Sequence, residues 1–274
     1  MKVKRHLFLC IMLIIVTVFF VMTNIIAEMT ITYFPIDYDR TFTSAESSLT
    51  PTNEQYTIDW ASHSTSEDSL YLRQDVSLLF RNGALVGVLN KWLQNTTTIE
   101  QKQPVTIRPN AVVQTISFHH GERHDNETIT SIQAMSTDEL YMLKNNSFKT
   151  PKTYGQTQAV TELDQQIKHQ LHMYWEELMN HFNINEEEYS SIPLTEIVNF
   201  DQYLSDTVSE KASDRIIGQL WEGLYKNYIL AAVEANSNDL MPIILLANDQ
   251  THLFILYKIG SEKHQLKQQI NLKH

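Results

Sequence analysis

Cysteine occurs once in the 274 residues, at Cys10, within the first apolar run. Disulfides therefore cannot brace whatever folds after it, and no thiol beyond that run can serve as a nucleophile. This favours a bacterial chain that folds on its core alone over a secreted eukaryotic domain. Cys10 is no lipoprotein anchor either, because the preceding Leu7-Phe8-Leu9 lacks the small residues of a lipobox. Gly and Pro number seven each, which argues against a turn-dense all-β sandwich. Four chemical signatures are missing: H-E-x-x-H, G-x-S-x-G, the P-loop and G-x-G-x-x-G. Their absence tilts the reading away from an enzyme.

Basic charge is also scarce. Lys and Arg total 21 against 32 Asp and Glu, a formal net charge of −11. Such a surface repels nucleic acid and anionic lipid, and suits a basic protein partner or loosely held cations.

What is present begins with a membrane signal. Lys2, Lys4 and Arg5 precede residues 7–27, LFLCIMLIIVTVFFVMTNIIA, which carry no charge. At about 1.5 Å per residue this run spans about 31 Å, the thickness of a bilayer's hydrocarbon core. Its basic flank predicts a cytoplasmic tail at 1–6, a transmembrane anchor at 7–27 and everything later outside the cell membrane. Ile25-Ile26-Ala27 makes a poor signal-peptide cleavage site, so the anchor is expected to remain uncleaved. With Lys2, Lys4 and Arg5 set apart from the 21 basic residues, 18 face the 32 acidic ones outside. Residues 240–259 are a poorer span, because Asn248 to His252 interrupt them, and one crossing is expected.

Residues 28–69 read as a polar stalk, since TFTSAESSLTPTNEQ and SHSTSEDS are rich in Ser and Thr and offer little to bury. Within them Tyr56-Thr57-Ile58-Asp59-Trp60 is a short island able to dock on the domain. An α+β domain is expected from 70 to 259. Asn82-Gly83 lies between two β-rich runs and signals a hairpin. TTTIEQKQPVTI, AVVQTISFHH and ETITSIQAMSTDELYML then continue an antiparallel meander.

The period changes after about 156. Val160, Leu163, Ile167, Leu171, Tyr174, Leu178 and Phe182 recur every three or four residues, the mark of an amphipathic helix. A shorter helix is expected at 194–205. Thr207-Val208-Ser209-Glu210 matches a capping box before a broadly apolar helix that carries Trp221 and Tyr225. PIILLA and HLFILYKI read as a closing hairpin of central strands joining the meander's sheet, and 260–274 as a polar tail.

The candidate chemistry is SFHHGERHD, residues 117–125. In a strand His120, Glu122 and His124 share one side and His119 takes the other. His120, Glu122 and His124 are thus the candidate ligands of a divalent metal, joined by His119 or Asp125 if Gly121 bends the chain. The spacing matches no established metal motif, so a polar hairpin end with no cofactor is the plainer expectation and a proton-sensitive cluster a third. His169, His172 and Glu176 share a helix side but read as a solvated face, as does Glu186-Glu187-Glu188.

DVSLLFRNGALVGVLNKW and AVVQTISFHHGERHD resemble segments of uncharacterised, singly anchored surface proteins of Gram-positive bacilli. The resemblance covers these two stretches and the layout, and implies no activity. Together these readings predict a non-catalytic extracytoplasmic domain that holds an envelope protein near the bilayer. A metal-dependent hydrolase or a pH or cation sensor at His119–Asp125 is the alternative.

Overall fold

The computed structural model describes residues 32–125, 128–144, 146–205 and 208–270. The expected tail and membrane anchor, residues 1–27, lie outside the described residues. Among the described residues no helix is long and apolar enough to cross a membrane.

The fold is α+β with antiparallel sheets. Strands β1 (Phe42–Pro51), β2 (Thr57–Arg81), β3 (Ala84–Thr106), β4 (Ala111–Asp125), β5 (Thr128–Leu143) and β6 (Asn146–Phe148) make the first sheet. β2 and β3 form one long hairpin about Asn82-Gly83, whose φ angles of 50° and 77° suit Asn and Gly. Along its other edge β2 pairs with β1 through Ile58 to Ser66 and with β4 through Leu72 to Arg81. The register slips between Thr65 and Leu70, and there the hairpin turns over. Trp60 in the first half of β2 consequently donates from Nε1 to Ser77 Oγ in the second half, at 3.1 Å.

This half of the molecule is therefore two β layers face to face, despite the scarcity of glycine and proline. Few turns suffice because β2 and β3 run for 25 and 23 residues. The polar stalk expected at 28–69 is corrected by β1 and β2. Residues 57–66 alternate strictly between buried and partly exposed once past Ile58, with Ile58, Trp60, Ser62, Ser64 and Ser66 pointing inward. Their composition resembles a linker, but Ser64 and Ser66 are hydrogen-bonded between the layers, and Ser62 is buried there with an unpartnered hydroxyl.

Helix α1 (Tyr154–Phe182) starts on a capping box of Thr153 and Gln156 and ends at Asn183 in the left-handed region. The helix expected at 194–205 is a 3₁₀ stretch, Leu194–Tyr203. Helix α2 (Glu210–Leu224) is capped two residues later than expected, with Ser209 accepting from the Ala212 N–H at 3.2 Å. Thr207, the expected cap, lies outside the described residues. α2 runs through a π turn, Tyr225–Ile229, into α3 (Leu230–Glu234).

The closing hairpin does not join the first sheet. β7 (Tyr189–Pro193), β8 (Ile243–Ala247), β9 (His252–Ile259) and β10 (Glu262–Gln269) form a second sheet in the order β10-β9-β8-β7. β10 also corrects the polar tail, since Glu262 to Gln269 pair with β9 and Ile270 is buried. β8 is covered on both faces, as its sequence predicts: Ile244 and Leu246 meet the main core, Ile243 and Leu245 meet Tyr174 and Leu178 of α1. The main core joins both sheets through Trp221, Leu224, Tyr225 and Tyr228, all at most 1% exposed.

Candidate functional site

β4 carries the histidine-rich stretch, and its pleat sends alternate residues to unlike surroundings. Phe118 and His120 face the helices; Thr115, Ser117 and His119 face the gap between the two β layers. One end of that gap is apolar, built from Leu49, Ile58, Trp60, Leu79, Val113 and Leu140. The other end is polar and almost fully buried.

His119 and Asp75 are register partners on β4 and β2, and neither side chain is exposed. His119 Nδ1 lies 2.8 Å from Asp75 Oδ2, and its Nε2 lies 2.9 Å from Ser136 Oγ. A carboxylate only accepts, so His119 Nδ1–H donates to Asp75. Ser136 Oγ is in turn 2.8 Å from Ser47 Oγ. Asp75 accepts from Ser64 Oγ at 2.9 and 2.7 Å, while its backbone carbonyl accepts from Gln101 Nε2 at 2.9 Å.

Arg73 closes this network. It donates to Ser64 Oγ, to Ser66 Oγ at 3.1 Å and to the Thr97 carbonyl at 2.7 Å, with its guanidinium carbon 4.8 Å from the centre of the Phe42 ring. Burial lowers the Arg73 pKa and the Asp75 charge opposes that. The Arg73 cation and the Asp75 anion thus share one buried network.

Ser136, His119 and Asp75 follow the order of a hydrolytic relay, but the relay is closed on itself. In such a relay the histidine takes the serine's proton while the oxygen attacks, so the oxygen must be free to reach a substrate. Ser136 is engaged by Ser47, and the Phe42 ring stands edge-on to His119 at 6.2 Å. The arrangement holds two layers together through buried hydrogen bonds, with Arg73 Nε left unpartnered.

The other residues of SFHHGERHD go elsewhere. His120 packs against Phe118, which stacks on Trp221, and His120 Nδ1 has no partner. Burial pushes its pKa down to about 4, with Asp75 pulling the other way. Glu122 accepts from His124 Nε2 at 3.1 Å, and that imidazole stacks on the exposed Tyr71 ring at 3.9 Å. Burial raises the Glu122 pKa and His124 partly offsets this. Asp125 pairs with Arg123 Nε at 2.6 Å. The metal set expected from His120, Glu122 and His124 is reduced to the last two. Among the described residues no three His, Cys, Asp or Glu side chains come together in a set able to hold an ion. His169, His172 and Glu176 are exposed along α1, and Glu186–Glu188 is an exposed 3₁₀ turn capped by Asn185.

Sequence reasoning missed the Asp75–His119 network although its signal was there. The inward frame set by Ile58 and Trp60 continues at every second residue through Ser62, Ser64 and Ser66. The frame of Leu79 runs back through Ser77, Asp75 and Arg73.

A cleft of about 340 Å³ opens between α1, β4, β5 and the 3₁₀ stretch after β7. Leu171, Trp175 and Met241 give it apolar walls, and Trp175 Nε1 donates to the Met241 carbonyl at 2.9 Å. Glu139, Asp164 and Glu196 line it with carboxylates. Each accepts a neutral donor: Glu139 from Gln114 at 2.8 Å, Asp164 from the Tyr141 hydroxyl at 3.3 Å, Glu196 from the Tyr203 hydroxyl at 3.2 Å. Burial, followed by Glu139 and Asp164, raises the Tyr141 pKa.

No family model and no curated protein matches the chain. Among solved structures, the solution structure of AT1g01470 from Arabidopsis thaliana is similar over 48% of this chain and 92% of that one, at 11% identity and a TM-score of 0.23. At that score nothing is carried over to this chain.

Proposed function

We propose that this chain is a non-catalytic binding domain tethered by residues 7–27 to the outer face of a bacterial cell membrane, where it holds an envelope protein. The uncharged 21-residue run behind three basic residues supports the tether. One observation carries the non-catalytic part: His119 and Asp75, the pair best suited to proton transfer, have no exposure and complete bonding. The cleft beside α1 supplies an open surface for a partner. A carboxyl-terminal tag in intact cells tests the location: external protease should remove it, and full protection would contradict the reading. A fluorophosphonate should leave Ser136 unlabelled, whereas stoichiometric labelling would point to a hydrolase.

A pH-responsive strand end is a second reading, favoured by Glu122, a buried carboxyl whose His124 partner is stacked on exposed Tyr71. It expects a Tyr71 ring resonance that shifts with pH; an unmoved resonance would dismiss it.

A further inference from the structure

From the lining of the cleft beside α1 we infer that its ligand is an arginine side chain on an apolar segment of the partner protein. The inference rests on the binding reading above and adds the chemistry of what is bound.

The charge balance of the cleft selects a cation. Glu139, Asp164 and Glu196 line one opening, and among the described residues none of the three forms an ion pair. Their side-chain donors are an amide and two phenols, which carry no positive charge. Lys168 also lines the opening, but it is exposed and can swing to solvent.

The apolar walls narrow the choice. A small hydrated ion gains nothing from Leu171, Trp175 and Met241, whereas a long alkyl stem does. A guanidinium presents a planar fork to carboxylates and lies well against an aromatic face such as that of Trp175. The volume of about 340 Å³ is at the small end of ligand pockets. It accommodates one long side chain with a neighbour, not a folded element. The overall formal charge of −11 would steer a basic partner toward this surface.

The test uses the full chain in detergent micelles with its four tryptophans ¹⁵N-labelled. Trp175→Phe identifies the Trp175 indole signal. Three capped tripeptides are titrated: acetyl-Leu-Arg-Leu-amide and its counterparts with Gln or Glu in the middle. The Arg peptide should move the Trp175 signal saturably and bind at least about tenfold more tightly than the Gln peptide. Glu139→Gln with Glu196→Gln should weaken it about tenfold, while unmoved Trp60 and Trp221 signals confirm an intact fold. Equal response to Arg and Gln, preference for Glu, or no response at Trp175 would each overturn the arginine assignment. Cleavage of a peptide would instead overturn the non-catalytic reading, so the two failures are distinct.

Discussion

Asp75 and His119 face each other across β2 and β4 at 2.8 Å, with neither side chain exposed to water. The pair sits where a two-layer β structure would ordinarily place aliphatic groups. Serine hydroxyls from β1, β2, β4 and β5 surround it, so the polar end of the gap is held by directional bonds while the Trp60 end is held by apolar burial.

Removing one member should be costly. Asp75→Ala leaves His119 Nδ1 and Ser64 Oγ without their acceptor and Arg73 without its counter-charge. We expect a loss of about 3–5 kcal/mol in urea unfolding, the usual cost of breaking a buried pair. A loss below about 1 kcal/mol would mean that water reaches the network.

The pH dependence of stability has a definite sign. His120 titrates near 6.5 when unfolded and at about 4 when folded, so between those values the unfolded chain binds the extra proton. Its contribution to stability is complete above about 6.5 and is lost as pH falls toward 4. At about 1.36 kcal/mol per pH unit, the loss is capped at about 3 kcal/mol. Glu122 acts in the opposite sense, because its raised pKa makes stability fall as pH rises through its own range. Urea unfolding of His120→Leu should therefore lose the acid-side decline that the wild type shows between pH 6.5 and 4. An unchanged profile would relocate the titration to another group.

Gly83 joins the long hairpin to α1. Its φ is +77°, and a Cβ there would meet Leu171 Cδ2 at 2.8 Å. Gly83→Ala should destabilise by about 2 kcal/mol or more through backbone strain and overpacking. Gly155→Ala, where nothing lies within 4 Å, should cost nothing or stabilise slightly. Equal thermal shifts for the two would contradict this account of the hairpin.

Much of the fold was legible because burial wrote itself into apolar periodicity. The Asn82-Gly83 turn, the stripe from Val160 to Leu178, the deep face around Trp221 and the doubly covered β8 all follow from hydrophobic spacing and turn chemistry. Residues 61–66 were misread because their inward face, Ser62, Ser64 and Ser66, is hydroxyl rather than hydrocarbon. Composition there points to a solvated linker, and only pairing with distant Asp75 and Arg73 makes burial favourable. β10 was misread for a related reason: GSEKHQLKQQ has little to bury, and β9 supplies a ready edge for its backbone. The facing of His119 against His120 was legible from strand alternation, but their partners were not, because Asp75 lies 44 residues away from His119.

Amide hydrogen exchange of residues 58–66 tests most directly whether this serine-alternating stretch seals a polar layer around Asp75 and His119. These amides should exchange as slowly as those of Val113–His119 in β4, on the timescale of global unfolding. Exchange within seconds, as in an unpaired linker, would contradict the buried strand and the structural role given to the pair.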